Sequence, residues 1–248
     1  MTGFLDLFSE QASTYAAARP GYPDELFAYI ASLAPDRRLA WDCATGNGQA
    51  ARDLGRYFDR VIATDASAEQ IANAADAPNV EYRVAPAEAS GLPNHSVDAV
   101  TVAQALHWLD HDPFYAEVRR VTVPGAVVAA WCYGACRVTP DIDALMEEFQ
   151  EGIVGPYWNP GRRWVDEGYR TIPFPFEEVR PPSFELRVRW SLRQLQEYIS
   201  SWSAVASYRR ERGEDPVAPL LERIVKFWGP SDGLRDVTWP LGLRVGRT

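Results

Sequence analysis

Residues Leu39 to Asp65 read LAWDCATGNGQAARDLGRYFDRVIATD, and this stretch decides the fold. An apolar run, Leu39, Ala40 and Trp41, stops at Asp42. A glycine-containing turn, Thr45 to Gly48, follows, then helical spacing of Ala50, Ala51, Leu54, Tyr57 and Phe58, then a second apolar run from Val61 to Ala63 that ends on Asp65. Strand, turn, helix and strand make the first unit of a parallel α/β sheet. Such a unit leaves a crevice beyond the carboxyl ends of its strands, where a nucleotide-like cofactor can lie. Gly46 and Gly48, lacking a β-carbon, tolerate unusual dihedrals and let backbone approach a ligand. Asp65, at the tip of the second strand, can accept hydrogen bonds from both hydroxyls of a ribose.

Two cofactor classes compete for this turn. Gly46-Asn47-Gly48-Gln49-Ala50-Ala51 satisfies the G-x-G-x-x-A dinucleotide pattern. Asp42 argues the other way, because a carboxylate beside the turn repels a pyrophosphate and suits a ligand bearing ammonium or sulfonium groups. S-adenosylmethionine has both cations. Asp42-x-Ala44-x-Gly46-x-Gly48 also resembles the D/E-x-G-x-G-x-G motif of class I S-adenosylmethionine-dependent methyltransferases, with Ala44 in place of the first glycine.

Upstream, Tyr15-Ala16-Ala17-Ala18-Arg19-Pro20-Gly21-Tyr22-Pro23 precedes a helix that Asp24 is expected to cap and whose Leu26, Tyr29, Ile30 and Leu33 share a face. This Y-x-x-x-R-P-x-Y-P segment resembles the trans-aconitate methyltransferase-like branch, also called methyltransferase type 11. The resemblance implies that residues 1–23 cover the cofactor and substrate pocket, with Tyr15 and Arg19 on the substrate side and Arg19 able to grip a carboxylate bidentately.

Downstream, Val80 to Val84 alternates as a third strand, and Asp98 to Ala103 forms a fourth. Between them, Ala85-Pro86-Ala87-Glu88 resembles the family segment that reads the adenine edge. The resemblance implies a backbone donor at Ala87, and Glu88 is the nearby acidic residue. The fourth strand ends in Ala103-Gln104-Ala105-Leu106-His107-Trp108, so the side chain or backbone of Gln104 should lie near the methionine part of the cofactor. His107 is the candidate base or substrate contact. His107 and His111 share i, i+4 spacing, but with no third strong ligand no metal is assigned. Asp112-Pro113 then reads as a helix start and Pro124-Gly125 as the turn that ends that helix, with a fifth strand from Ala126 to Cys132.

From Pro140 the periodicity weakens. A helix from Asp141 to Glu151 leads into stretches rich in Pro and aromatics, and residues 137–183 read as a lid insertion. Trp158 is its candidate substrate contact. Phe184 to Trp190 should be the sixth strand, Ser191-x-x-Gln194 caps a helix running to Trp202, and Asp236 to Val245 is the last strand. The Ser201 to Tyr208 run again resembles this branch, where its helix helps close the substrate pocket, which implies a role for Trp202.

Composition narrows the function classes. Hydrophobic residues at 46% and charged residues at 24% fit a globular chain, and no apolar run reaches the roughly 20 residues of a membrane span. The acidic start lacks a basic n-region, so a cytoplasmic protein is expected. A net charge of −9 repels polyanions, which argues against nucleic acid as a partner. Cys43, Cys132 and Cys136 have no framework spacing, which fits a reducing compartment.

The expectation is therefore a single α/β domain over residues 1–248. Its Rossmann-like sheet has seven strands, in the order 3-2-1-4-5-7-6 with the last antiparallel, as the resemblance implies. It would bind S-adenosyl-L-methionine through Asp42, Ala44, Gly46, Gly48, Asp65, Ala87, Glu88 and Gln104. The methyl group would pass to a small-molecule carboxylate, hydroxyl or amine. An NAD(P)-dependent oxidoreductase and a non-catalytic ligand-binding protein of the same fold are the alternatives. Oligomeric state is not legible.

Overall fold

The computed structural model describes residues 20–230 and 233–248, so Tyr15 and Arg19 lie outside the described residues. The chain divides into two compact units. The sheet unit comprises Gly21–Tyr133, Arg163–Phe184 and Leu241–Thr248, and the helical unit is built from Gly134–Arg162 and Glu185–Pro240.

In the sheet unit, β1 (Leu39–Cys43), β2 (Arg60–Asp65), β3 (Val80–Val84) and β4 (Val97–Ala103) are followed by β5 (Thr122–Tyr133) and the short β6 (Glu177–Glu178). The last strand, β8 (Arg235–Arg247), enters this sheet through its C-terminal half. The order is β3-β2-β1-β4-β5-β8-β6, with β8 antiparallel to β5 and the pairs among β1 to β5 parallel. That is the Rossmann-like methyltransferase order expected above. Strands β1 and β4 are buried almost throughout, as strands covered on both faces must be. Alternation splits their side chains between two cores. Trp41, Ile62, Val100, Val102, Phe114 and Val118 pack in one, and Ala40, Leu54, Val61, Ala63, Ala99 and Trp131 in the other.

Helices α1 (Asp24–Leu33), α2 (Gln49–Leu54), α3 (Ala68–Ala72) and α4 (His111–Val121) complete this unit, with α6 (Arg162–Asp166) following the helical unit's first segment. Asp24 does not cap α1. Pro23 holds that position, and the Asp24 carboxylate instead accepts from the Tyr57 hydroxyl at 2.6 Å. Helix α4 begins at His111, ahead of the expected Asp112-Pro113 start, because a proline within the first turn removes an N–H that has no helical partner anyway. The helix then passes straight into β5 at Thr122, so Pro124-Gly125 lies within a strand. The strand absorbs the dipeptide as an irregularity: Gly125 takes φ 78°, its N–H bonds the Thr248 carbonyl, and the β4–β5 register shifts between Val97 and Ala99.

The helical unit contains α5 (Pro140–Glu148), β7 (Glu185–Trp190), α7 (Leu192–Ser200), α8 (Ser203–Arg212) and α9 (Val217–Trp228). Strand β7 pairs with Arg235 to Pro240, the first half of β8, and so is not the strand next to the last in the main sheet. That place belongs to Glu177 and Glu178, too few residues to show a period. The Ser191–Gln194 capping box forms with both reciprocal bonds, and Arg223 pairs with Glu148 to tie α9 to α5. Trp190, Tyr198 and Trp239 interlock at ring separations of 5.1 to 5.5 Å, and the Trp239 indole donates to the Tyr198 hydroxyl.

Candidate active site

The turn after β1 passes through three left-handed positions: Ala44 at φ 54°, Gly46 at 57° and Gly48 at 82°. Asp65, at the end of β2, anchors it. One carboxylate oxygen accepts from Gly46 N–H at 2.8 Å and the other from Ser67 N–H at 2.9 Å. The two glycines differ in what they make room for. Among the described residues, a Cβ on Gly46 would find its nearest neighbour, Gln70 Oε1, at 3.8 Å, so no described residue crowds this position. A Cβ on Gly48 would lie 2.3 Å from the Tyr82 hydroxyl. Gly48 is thus required by a protein side chain, which sequence reasoning missed. The alternation of β3 was its only signal.

Asp42 is fully buried at the end of β1. It accepts hydrogen bonds from Thr45 Oγ1 at 2.5 Å and from Thr101 Oγ1, its neighbour on β4, at 2.6 Å. Burial pushes its carboxyl up to about 6, the two hydroxyls and the Ala51 backbone pull it back, and Asp65 adds to the rise. Among the described residues its hydrogen-bonding partners are neutral groups, so a cation brought close to it would gain energy. The same field is felt by the buried Cys43 thiol. Burial raises it well above its ordinary value, and Asp42, Asp65 and the exposed Glu88 all push it in the same direction. Ala87 is half-buried beside the core.

At the end of β4, Gln104 adopts φ 56°. Its side-chain amide donates to the Tyr133 carbonyl at 2.9 Å and accepts from the Tyr133 N–H at 3.2 Å, extending the β4–β5 ladder by one side chain. His107 sits in a 3₁₀ turn just beyond, and its Nδ1 is 2.7 Å from the Tyr169 hydroxyl. Tyr169 was not foreseen. It is fully buried, and burial raises its phenol well above the ordinary value. His111 opens α4 and donates from Nε2 to the Leu106 carbonyl at 3.1 Å.

Trp158 and Trp202 lie in the helical unit with ring centroids 5.6 Å apart. The Arg162 guanidinium stacks 4.2 Å from the Trp158 ring. Trp202 is only 4% exposed, which limits the surface it can offer a ligand. Among the described residues no three His, Cys, Asp or Glu side chains cluster as a metal site would need, and no helix is long and apolar enough to cross a membrane. The three cysteines are buried and none of them forms a disulfide.

A family model described as "Methyltransferase domain" matches residues 41–130, from β1 to within β5. A Dictyostelium discoideum protein named "Putative methyltransferase" is 36% identical over 97% of this chain and 94% of its own length. A solved structure from Anaeromyxobacter dehalogenans, described as a "Putative Type II Methyltransferase", is 45% identical with a TM-score of 0.87, covering 92% of this chain and 97% of that one. A Saccharomyces cerevisiae protein named "Probable S-adenosylmethionine-dependent methyltransferase" is 25% identical over 87% of this chain and 86% of its own.

Proposed function

This chain belongs to the class I S-adenosylmethionine-dependent methyltransferase family, and on that premise we propose that it passes the methyl group to a small-molecule acceptor by in-line displacement. The observation that supports the placement of the cofactor is the convergence of carboxylates. Asp42 at the end of β1, buried against the Thr45 and Thr101 hydroxyls, and Asp65 at the end of β2, held by the Gly46 and Ser67 N–H groups, flank the same turn. Such a field opposes a pyrophosphate and favours sulfonium and ammonium groups. The match of Gly46 to Ala51 to a dinucleotide pattern is then incidental.

When bound, the cofactor supplies a methyl group on a good leaving group, so the protein's work is mostly positioning. Asp42, held by Thr45 and Thr101, would face the cationic end. Asp65 would take the ribose hydroxyls, its carboxylate already oriented by Gly46 and Ser67. Ala44, Gly46 and Gly48 shape the floor, Ala87 and Glu88 would meet the adenine edge, and Gln104 acts by locking the ends of β4 and β5 together. His107 would contact the acceptor. Tyr15, Arg19 and Trp202 are assigned to the substrate side by the sequence resemblance, and Trp158 by its place in the lid insertion read from the sequence. Holding an acceptor in line with the methyl can supply about 7 to 11 kcal/mol of the barrier reduction.

Thermal-shift titration with S-adenosylmethionine, S-adenosylhomocysteine, NAD and NADP, each alone, tests the cofactor site. A ligand at about 100 times its dissociation constant stabilises by roughly 2.7 kcal/mol. The expected result is a shift with the first two, abolished in Asp65→Ala. A shift with the nicotinamides alone would overturn the assignment.

A further inference from the structure

We infer that Tyr169 is a positioning residue that fixes the tautomer of His107, so that this imidazole meets the acceptor as an Nε2–H hydrogen-bond donor and not as a base. Its bearing on methyl transfer rests on the function proposed above. The tautomer itself does not.

The turn that delivers Tyr169 is built for that contact. Gly168 and Tyr169 take φ of 60° and 62° in succession, a conformation that a tyrosine adopts only when its surroundings impose it. Two features of β8 impose it. Gly242 lets the turn lie directly on the strand, since a Cβ there would fall 2.4 Å from the Gly168 Cα. Two residues on, Arg244 donates to the carbonyls of Tyr169, Arg170 and Ile172 at 2.8, 3.1 and 3.2 Å, and is itself paired with Glu178. The side chain that results is fully buried, with its ring 5.9 Å from that of His107.

The direction of the proton follows from hydrogen-bond accounting. Full burial holds the phenol well above its ordinary value, so it keeps its proton and has one O–H to give. Among the described residues, His107 Nδ1 is the acceptor within reach, at 2.7 Å. If Nδ1 carried the proton instead, the tyrosine O–H would be left buried without an acceptor, an arrangement that folded proteins avoid. Nδ1 is thus the accepting nitrogen, and the neutral ring keeps its proton on Nε2. A ring in this state has no lone pair left with which to take a proton from an acceptor. His107 then takes no proton from the acceptor, which suits one that already presents an electron pair, as an oxyanion or an unprotonated amine does.

The three histidines allow a direct spectroscopic test. Full-length protein labelled with 15N-histidine is recorded at pH 8, above the ordinary imidazole range, with and without S-adenosylhomocysteine, and His107→Gln identifies the resonances. His95 is the internal contrast, since its Nδ1 faces the Thr122 carbonyl at 3.0 Å and must carry a proton to bond it. His107 is expected to show a protonated Nε2 and an unprotonated Nδ1, the reverse of His95. In Tyr169→Phe, the His107 Nδ1 signal should move toward that of a free ring nitrogen while His95 and His111 hold still. A protonated Nδ1 at His107 in the wild type overturns the inference, as does an Nδ1 signal that Tyr169→Phe leaves unmoved. The wild-type assignment decides the proton's position even if the variant folds poorly. A spectrum indifferent to S-adenosylhomocysteine would count against the cofactor reading and leave the tautomer result standing.

Discussion

The turn from Ala44 to Gly48 and the turn at Gly168 and Tyr169 both run through left-handed backbone, with φ between 54° and 82° in the first and of 60° and 62° in the second. Their supports differ. The first is held by its own neighbours in the βαβ unit, through Gly46 N–H to Asp65 and Thr45 N–H to the Thr64 carbonyl. The second is held by β8, more than seventy residues away, through the Gly168–Gly242 contact and the three carbonyl bonds of Arg244. A turn supported locally announces itself by glycines at alternate positions. A turn supported from a distance can place a tyrosine where a glycine would be easier, at about 1 to 2 kcal/mol of backbone strain.

Substitutions that load each turn separately should break this comparison in a graded way. The largest effect is expected for Gly242→Ala, because its new methyl meets backbone at 2.4 Å and backbone cannot rotate aside. It should destabilise by about 3 kcal/mol, read as a fall in melting temperature of roughly 10 °C. Gly48→Ala comes next. Its methyl meets the far end of the Tyr82 side chain, which can give way, so about 2 kcal/mol is expected from strain and displacement together. Among the described residues Gly46→Ala meets no such crowding and should lose about 1 kcal/mol from its backbone conformation alone. Equal losses at all three positions, measured by chemical denaturation, would show that neither turn is supported as described.

Asp42 offers a pH-dependent handle on the first turn. Burial raises its folded value to about 6, above the carboxylate's ordinary value near 4, so the folded chain binds this proton more tightly than the unfolded one. The stabilisation is complete below about pH 4 and is lost as pH rises through about 6. Asp42→Asn should therefore flatten the stability profile of the ligand-free protein across pH 4 to 7, while removing most of the shift produced by S-adenosylmethionine at pH 8. An unchanged profile would mean that Asp42 ionises as freely as an exposed carboxylate. The smallest effect is expected for Ala44→Gly. Relief at φ 54° is partly offset by the greater freedom of glycine in the unfolded chain, leaving a net gain of about 0.5 kcal/mol.

The same division explains what could be read from residues alone. Asp42, Gly46, Gly48 and Asp65 stand within one βαβ unit, where the change of hydrophobic period marks each boundary, and the strand order follows from the family motif that they form. Gln104 could be placed at the end of β4, but its amide bonds Tyr133, 29 residues on, and no local pattern encodes that pairing. His107 could be singled out while Tyr169, 62 residues away, could not, since one tyrosine after a glycine looks like any surface turn. The alternation of β7 states which face is buried without naming its partner strand, and Glu177–Glu178 is too short to show any period.

The most direct test of the central claim is a crystal structure of the protein with S-adenosylhomocysteine. The expected complex has both ribose hydroxyls within hydrogen-bond distance of the Asp65 carboxylate, about 2.5 to 3.0 Å, and the amino group of the ligand on the Asp42 side of the turn. A ligand bound elsewhere, making no hydrogen bond to Asp65, would contradict the account.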